Sequence, residues 1–109
     1  MNDYEKKLRQ ETDIQLKTAC EKIIALSKLS DFSSFDKEIL GVSANFIKGI
    51  LKKDKTMESI YSIIKICSFL EIIHERFPMK SPSCGKILKV IQSLNVALIN
   101  IQITMAFGE

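Results

Sequence analysis

The sequence predicts an all-α fold, an antiparallel up-down four-helix bundle, from three observations. Apolar residues recur at three- and four-residue steps along most of the chain. Polar breaks at Ser30–Ser34, Lys52–Lys55 and Phe77–Pro82 divide it into four segments of helix length. Four Gly and two Pro are too little turn chemistry for a sandwich or barrel. Helices joined by connections of a few residues run antiparallel to their neighbours. At 109 residues the chain reads as one domain, 1–109.

The first segment runs from about Asp3 to Leu29. Residues 1–15 are almost wholly polar and read as a start that frays or protrudes. The apolar stripe emerges later, at Leu16, Ala19, Cys20, Ile23 and Leu26. Ser33 or Ser34 caps the second segment, with Asp36 in its first turn, where the helix dipole favours an acid. Ile39, Leu40, Phe46, Ile47, Ile50 and Leu51 form its expected buried face. Gly41 and Gly49 weaken it by about 1 kcal/mol each relative to alanine.

Thr56 caps the third segment, which runs to the residue before Pro78. It is apolar nearly all round, at Ile60, Ile63, Ile64, Ile66, Cys67, Phe69, Leu70, Ile72, Ile73 and Phe77, so it reads as the most buried helix. The fourth opens with Ser81 as cap and Pro82 at the first helical position. Its core stripe is Ile87, Val90, Ile91, Leu94, Leu98, Ile101 and Met105. A competing signal lies at its end, where Ile99–Met105 alternates with period two and is rich in β-branched residues, as a strand would be. A lone strand would need a partner's edge, so helix is the expectation.

With 46% hydrophobic and 27% charged residues the chain can bury a core and is not a disordered tail. The net charge is only +3, and all basic residues but Arg9 and Arg76 are lysines. Lysine is a poor planar reader of bases, so this balance argues against a nucleic-acid partner. Three cysteines at wide spacing, Cys20, Cys67 and Cys84, fit neither a disulfide framework nor a zinc site. Cys20 and Cys67 fall on apolar stripes as small core residues, and the protein is expected in a reducing cytoplasm. The N-terminus has no apolar core region and does not read as a secretion signal. Val90–Gly108 carries no charge and is long enough to span a bilayer. Burying Gln92, Asn95, Asn100 and Gln102 in lipid would be costly, so a helix that touches a membrane protein is the better reading.

No catalytic, cofactor-binding or metal-ligating constellation emerges. His74-Glu75 begins like a zinc-protease helix motif but lacks the second histidine, and Pro78 ends the helix. Gly85-Lys86 resembles the end of a phosphate loop, yet Lys80 stands where its first glycine belongs and Ile87 where Ser or Thr is needed. Cys84 sits in a first helical turn, where a thiolate can be stabilised. Nothing in the sequence places His74 beside it, so an exposed, passive cysteine is expected. The chain does not read as an enzyme.

Two surface features remain. Lys48, Lys52, Lys53 and Lys55 cluster at the end of the second helix, either compensating its dipole or contacting an anionic membrane surface. Lys80, Lys86 and Lys89 form a weaker group near the start of the fourth. Val96, Ile99 and Ile103 lie off the core stripe of that helix. Either the long first helix covers them, or they form an apolar docking face. Lys86, Lys89, Val96, Ile99, Ile103 and Phe107 are accordingly the candidate partner-binding residues.

From about Glu38 to Leu98 the chain reads Glu-Ile-Leu, Phe-Ile-Lys-Gly-Ile-Leu-Lys-Lys-Asp-Lys, Ile-Tyr-Ser-Ile-Ile-Lys, then Lys-Ile-Leu-Lys-Val-Ile-Gln-Ser-Leu. This resembles the small immunity proteins that protect lactic acid bacteria from pediocin-like (class IIa) bacteriocins. The resemblance covers about half the chain and lies in hydrophobic spacing and helix lengths. It implies a cytoplasmic, lysine-rich four-helix bundle without enzymatic activity. Such a bundle would work at the inner membrane face on the mannose phosphotransferase permease that the bacteriocin captures. It also places recognition in the C-terminal part, here Lys86 to Glu109, although Met105-Ala-Phe-Gly-Glu109 is shorter and more apolar than the family's polar tail. The rival from another class is a small helical adaptor, which completes its fold with a partner chain or with itself.

Overall fold

A computed structural model describes residues 2–77 and 81–107. It contains four helices, α1 (Asp3–Leu26), α2 (Ser34–Leu51), α3 (Met57–Glu75) and α4 (Pro82–Phe107), in a body of 45 × 24 × 18 Å. Pro78, Met79 and Lys80 lie outside the described residues, and with them the proline break and one lysine of the weaker group.

Each helix starts where its sequence provides an oxygen for an orphaned N–H. Asn2 Oδ1 accepts from the Glu5 N–H at 2.8 Å, a cap that the polar N-terminus concealed. Helix α1 is therefore continuous from Asp3. Ser33, rather than Ser34, caps α2 through the Asp36 N–H at 3.1 Å. At α3 the Thr56 N–H donates to Ser59 Oγ, and at α4 Ser81 Oγ accepts from the Ser83 N–H. The alternating stretch Ile99–Met105 is helical: with no strand among the described residues to pair with, only the helix satisfies its backbone.

The helices pack in a square. Helix α1 lies against α2 and α4, α3 lies against the same two, and no backbone contact joins the diagonal pairs among the described residues. The antiparallel sense is visible in which residues meet. Tyr4 at the start of α1 stacks edge-on against Phe107 at the end of α4, with ring centroids 5.6 Å apart. Arg76 at the end of α3 pairs with Asp36 at the start of α2.

The α1–α4 seam is the most extensive. These are the longest helices, and both carry small buried residues (Ala19 on α1, Ala97 on α4) that let backbones approach. The α2–α3 seam is the thinnest, and a shallow groove along it is lined by Phe35, Ile39, Val42 and Phe69.

Leu16, Ile23, Leu40, Ile47, Ile63, Ile66, Leu70, Ile73, Ile87, Leu94 and Ile101 fill the axis and are fully buried. Each contributes about 1.5–3 kcal/mol through burial. Three expectations for the core need correction. Phe46, expected on the buried face of α2, is 48% exposed, and Ile64, expected in the core of α3, is 46% exposed. Ile72 is likewise on the surface. Adjacent helix positions diverge by about 100°, so with Ile63 and Ile73 on the axis their neighbours Ile64 and Ile72 point away from it. An all-round apolar helix overstates burial when only two sides of it are covered.

Candidate functional site

The outward face of α4 holds most of the candidate residues. Val96 and Ile99 are exposed, Ile99 by 54%, while Ile103 is half-buried. Phe107, at the far end, keeps nearly half its surface in solvent despite its contact with Tyr4. Helix α1 thus does not cover this face. On α3, Met57, Tyr61 and Ile64 are also exposed. The Cys67 thiol reaches Asn95 Oδ1 at 3.8 Å, which sets the register of the two helices. One turn further along each, in the antiparallel sense, come Ile64 and Ile99, both exposed. By length and composition α4 is also apolar enough to cross a membrane, although its inner half is built into the core.

Lys86 and Lys89 do not join that apolar side. Together with Lys22 they rim a groove of about 330 Å³ on the α1–α4 seam, floored by Ala25, Leu26 and Leu29. Sequence reasoning missed Lys22, Ala25 and Leu29 as partners of this pair, because they come from the far end of the chain.

The lysines after α2 divide. Lys48, Lys52 and Lys53 are exposed. Lys55 turns inward: its ammonium stands 3.2 Å from Asp13 Oδ1 on α1 and donates to the carbonyls of Lys53 and Leu51, so it ties the α2–α3 connection to the bundle. That ammonium sits off the line of a hydrogen bond to Asp13 Oδ1, which is itself shut off from solvent. Beside the pair is a small cleft of about 150 Å³ lined also by Arg9, Thr12, Lys53, Asp54, Ile101 and Thr104.

At the opposite end, Cys84 corrects an expectation. It is 3% exposed, and its Sγ lies 2.8 Å from His74 Nε2. The signal was available: the two residues sit symmetrically about the α3–α4 turn, and an antiparallel hairpin brings such positions together. Nearby, the Ser83 hydroxyl donates to Asp31 Oδ2 at 2.7 Å, and Phe32 packs edge-on against Phe77.

The mid-bundle thiols are held in their neutral form. Burial, reinforced by the charge of Glu71, pushes Cys67 up to about 11. Burial also raises Cys20, with Lys48 opposing and Glu21 adding. No group of three or more His, Cys, Asp or Glu side chains that could hold a metal ion occurs among the described residues.

The fold and these features define a class: a small all-α bundle whose last two helices present an apolar side to solvent. No known family, curated protein or solved structure matches the chain.

Proposed function

We propose that this chain is a non-enzymatic bacteriocin immunity protein, protecting its cell from a pore-forming peptide by docking at the cytoplasmic face of the membrane receptor. One observation carries the reading: the outward face of α4, with Val96, Ile99 and Phe107, stays apolar and exposed on a helix whose other half is committed to the core. Apolar surface that a fold leaves open is where a partner gains most by binding. Exposed Lys48, Lys52 and Lys53 suit an anionic inner leaflet.

The test is expression in a bacteriocin-sensitive strain. Protected growth is expected, and Ile99→Lys is expected to abolish it without lowering the melting temperature of the purified chain. Unchanged killing of the strain carrying the native chain sinks the reading.

A second reading, a helical adaptor that pairs with itself or another chain, draws on the further exposed apolar residues Met57, Tyr61 and Ile64 of α3. Light scattering after size exclusion separates the two. A 12.4 kDa species favours immunity, and a stable dimer favours the adaptor.

A further inference from the structure

We infer that the groove between the end of α1 and the start of α4 docks an acidic amphipathic peptide segment. In that segment one large apolar side chain is flanked on both sides by carboxylates. The inference deepens the docking reading of α4 and rests on it only for the idea that a partner meets this helix.

The groove is apolar below and cationic above. Leu26 is buried at its base, Leu29 is half-buried and Ala25 is open, leaving a hollow of about 330 Å³. That volume suits a single large side chain or a small cluster. The rim consists of Lys22 on α1 and of Lys86 and Lys89 on α4, all exposed. No carboxylate lines the groove among the described residues.

Elsewhere on the molecule, the cleft that gathers cations gathers acids too. Asp13 and Asp54 sit among Arg9, Lys53 and Lys55 at the other end. The groove has no internal counter-charge among the described residues, so it has charge complementarity left to offer.

The occupant follows from where the charges lie. Lysines stand on both rims, one from each helix, with the apolar floor between them. A single-headed anion such as a fatty-acid carboxylate neutralises one rim and leaves the other. A helical peptide with acids one turn before and one turn after an apolar anchor meets both rims at once, and such positions share a helix face. Lysine's long stem lets each ammonium reach outward to a carboxylate while its methylenes extend the apolar wall.

The experiment titrates the isotope-labelled, purified chain with two synthetic helical peptides and follows backbone amide shifts. In one peptide a central phenylalanine is flanked a turn away on each side by glutamates, and in its twin by lysines. Saturable shifts at Ala25, Leu29, Lys86 and Lys89 are expected with the glutamate peptide alone, weakening as salt is raised. The double variant Lys86→Glu/Lys89→Glu, at solvent-exposed positions, is expected to keep its melting temperature. It should lose about tenfold or more in affinity for the glutamate peptide.

Equal binding of both peptides, no saturable shift, or binding of decanoate at the same residues as tightly as the glutamate peptide overturns the inference. Binding is read on the purified chain and protection in cells, so the two proposals fail separately. Intact peptide binding without protection sinks immunity alone, and intact protection without peptide binding sinks the groove alone.

Discussion

The two ends of the bundle are tied in different ways. At the end formed by the α1–α2 connection, the end of α3 and the start of α4, partners come from separate elements. Asp36, only 4% exposed, takes the Arg76 guanidinium. Ser83 reaches Asp31, Cys84 meets His74, and Phe32 meets Phe77. At the other end, formed by the start of α1, the end of α4 and the α2–α3 connection, the ties are Lys55, 18% exposed, on Asp13, 44% exposed, and Tyr4 against Phe107.

Buried, hydrogen-bonded charge is costly to disrupt, whereas an exposed ion pair contributes little. Four ties against two make the first end the platform of the bundle, and the lysine-rimmed groove is built beside it. A preorganised surface loses less entropy on binding, which is the physical reason to place a docking site there.

The largest expected effect belongs to neither end. Leu94, fully buried at mid-bundle, holds both together, and Leu94→Asp should abolish the cooperative melt by placing a charge in the core. Ile64→Asp, one helix away but on the open side, should stay folded. If Ile64→Asp unfolds the chain, the apolar side of α3 is covered in solution.

The next effect separates the ends directly. Asp36→Ala should cost about 2–3 kcal/mol in denaturant unfolding, because it removes a buried carboxylate from its ion pair and from the first turn of α2. Asp13→Ala should cost less, about 1–2 kcal/mol, because the ammonium it strands keeps its bonds to the carbonyls of Leu51 and Lys53. Equal losses would erase the distinction between the platform and the terminal end.

The smallest effect is a gain. A Cβ added at Gly41 or Gly49 would meet nothing within 4 Å, and neither glycine has a positive φ. Gly41→Ala and Gly49→Ala should therefore each raise stability by about 0.5–1 kcal/mol through helix propensity alone. A loss at either would mean that α2 approaches α3 more closely than the thin seam indicates.

Much of this architecture was legible in the sequence because its signals are local. Periodicity placed four helices, Ser33, Thr56 and Ser81 marked three of their starts, and the stripe from Ile87 to Ile101 named the inner half of α4. The candidate docking residues Val96 and Ile99 were identifiable for the same reason: they lie off that stripe. Where the pattern saturates it stops discriminating. A helix apolar nearly all round has only a narrow polar stripe to orient it, which is why periodicity alone places Ile64 and Ile72 in the core. Lys55 looked like its neighbours Lys52 and Lys53, since nothing near it in the chain announces Asp13.

By itself, then, the sequence determined the helices, the caps of all but the first and the antiparallel order, because 3.6-residue periodicity and short connections act over a few residues. Only the tertiary structure decided which sides of α3 and α4 remain open and that Lys22 joins Lys86 and Lys89 around one groove. Those outcomes depend on how four helices divide a shared axis. Contacts between residues as far apart as Lys22 and Lys89 exist only once the helices have packed.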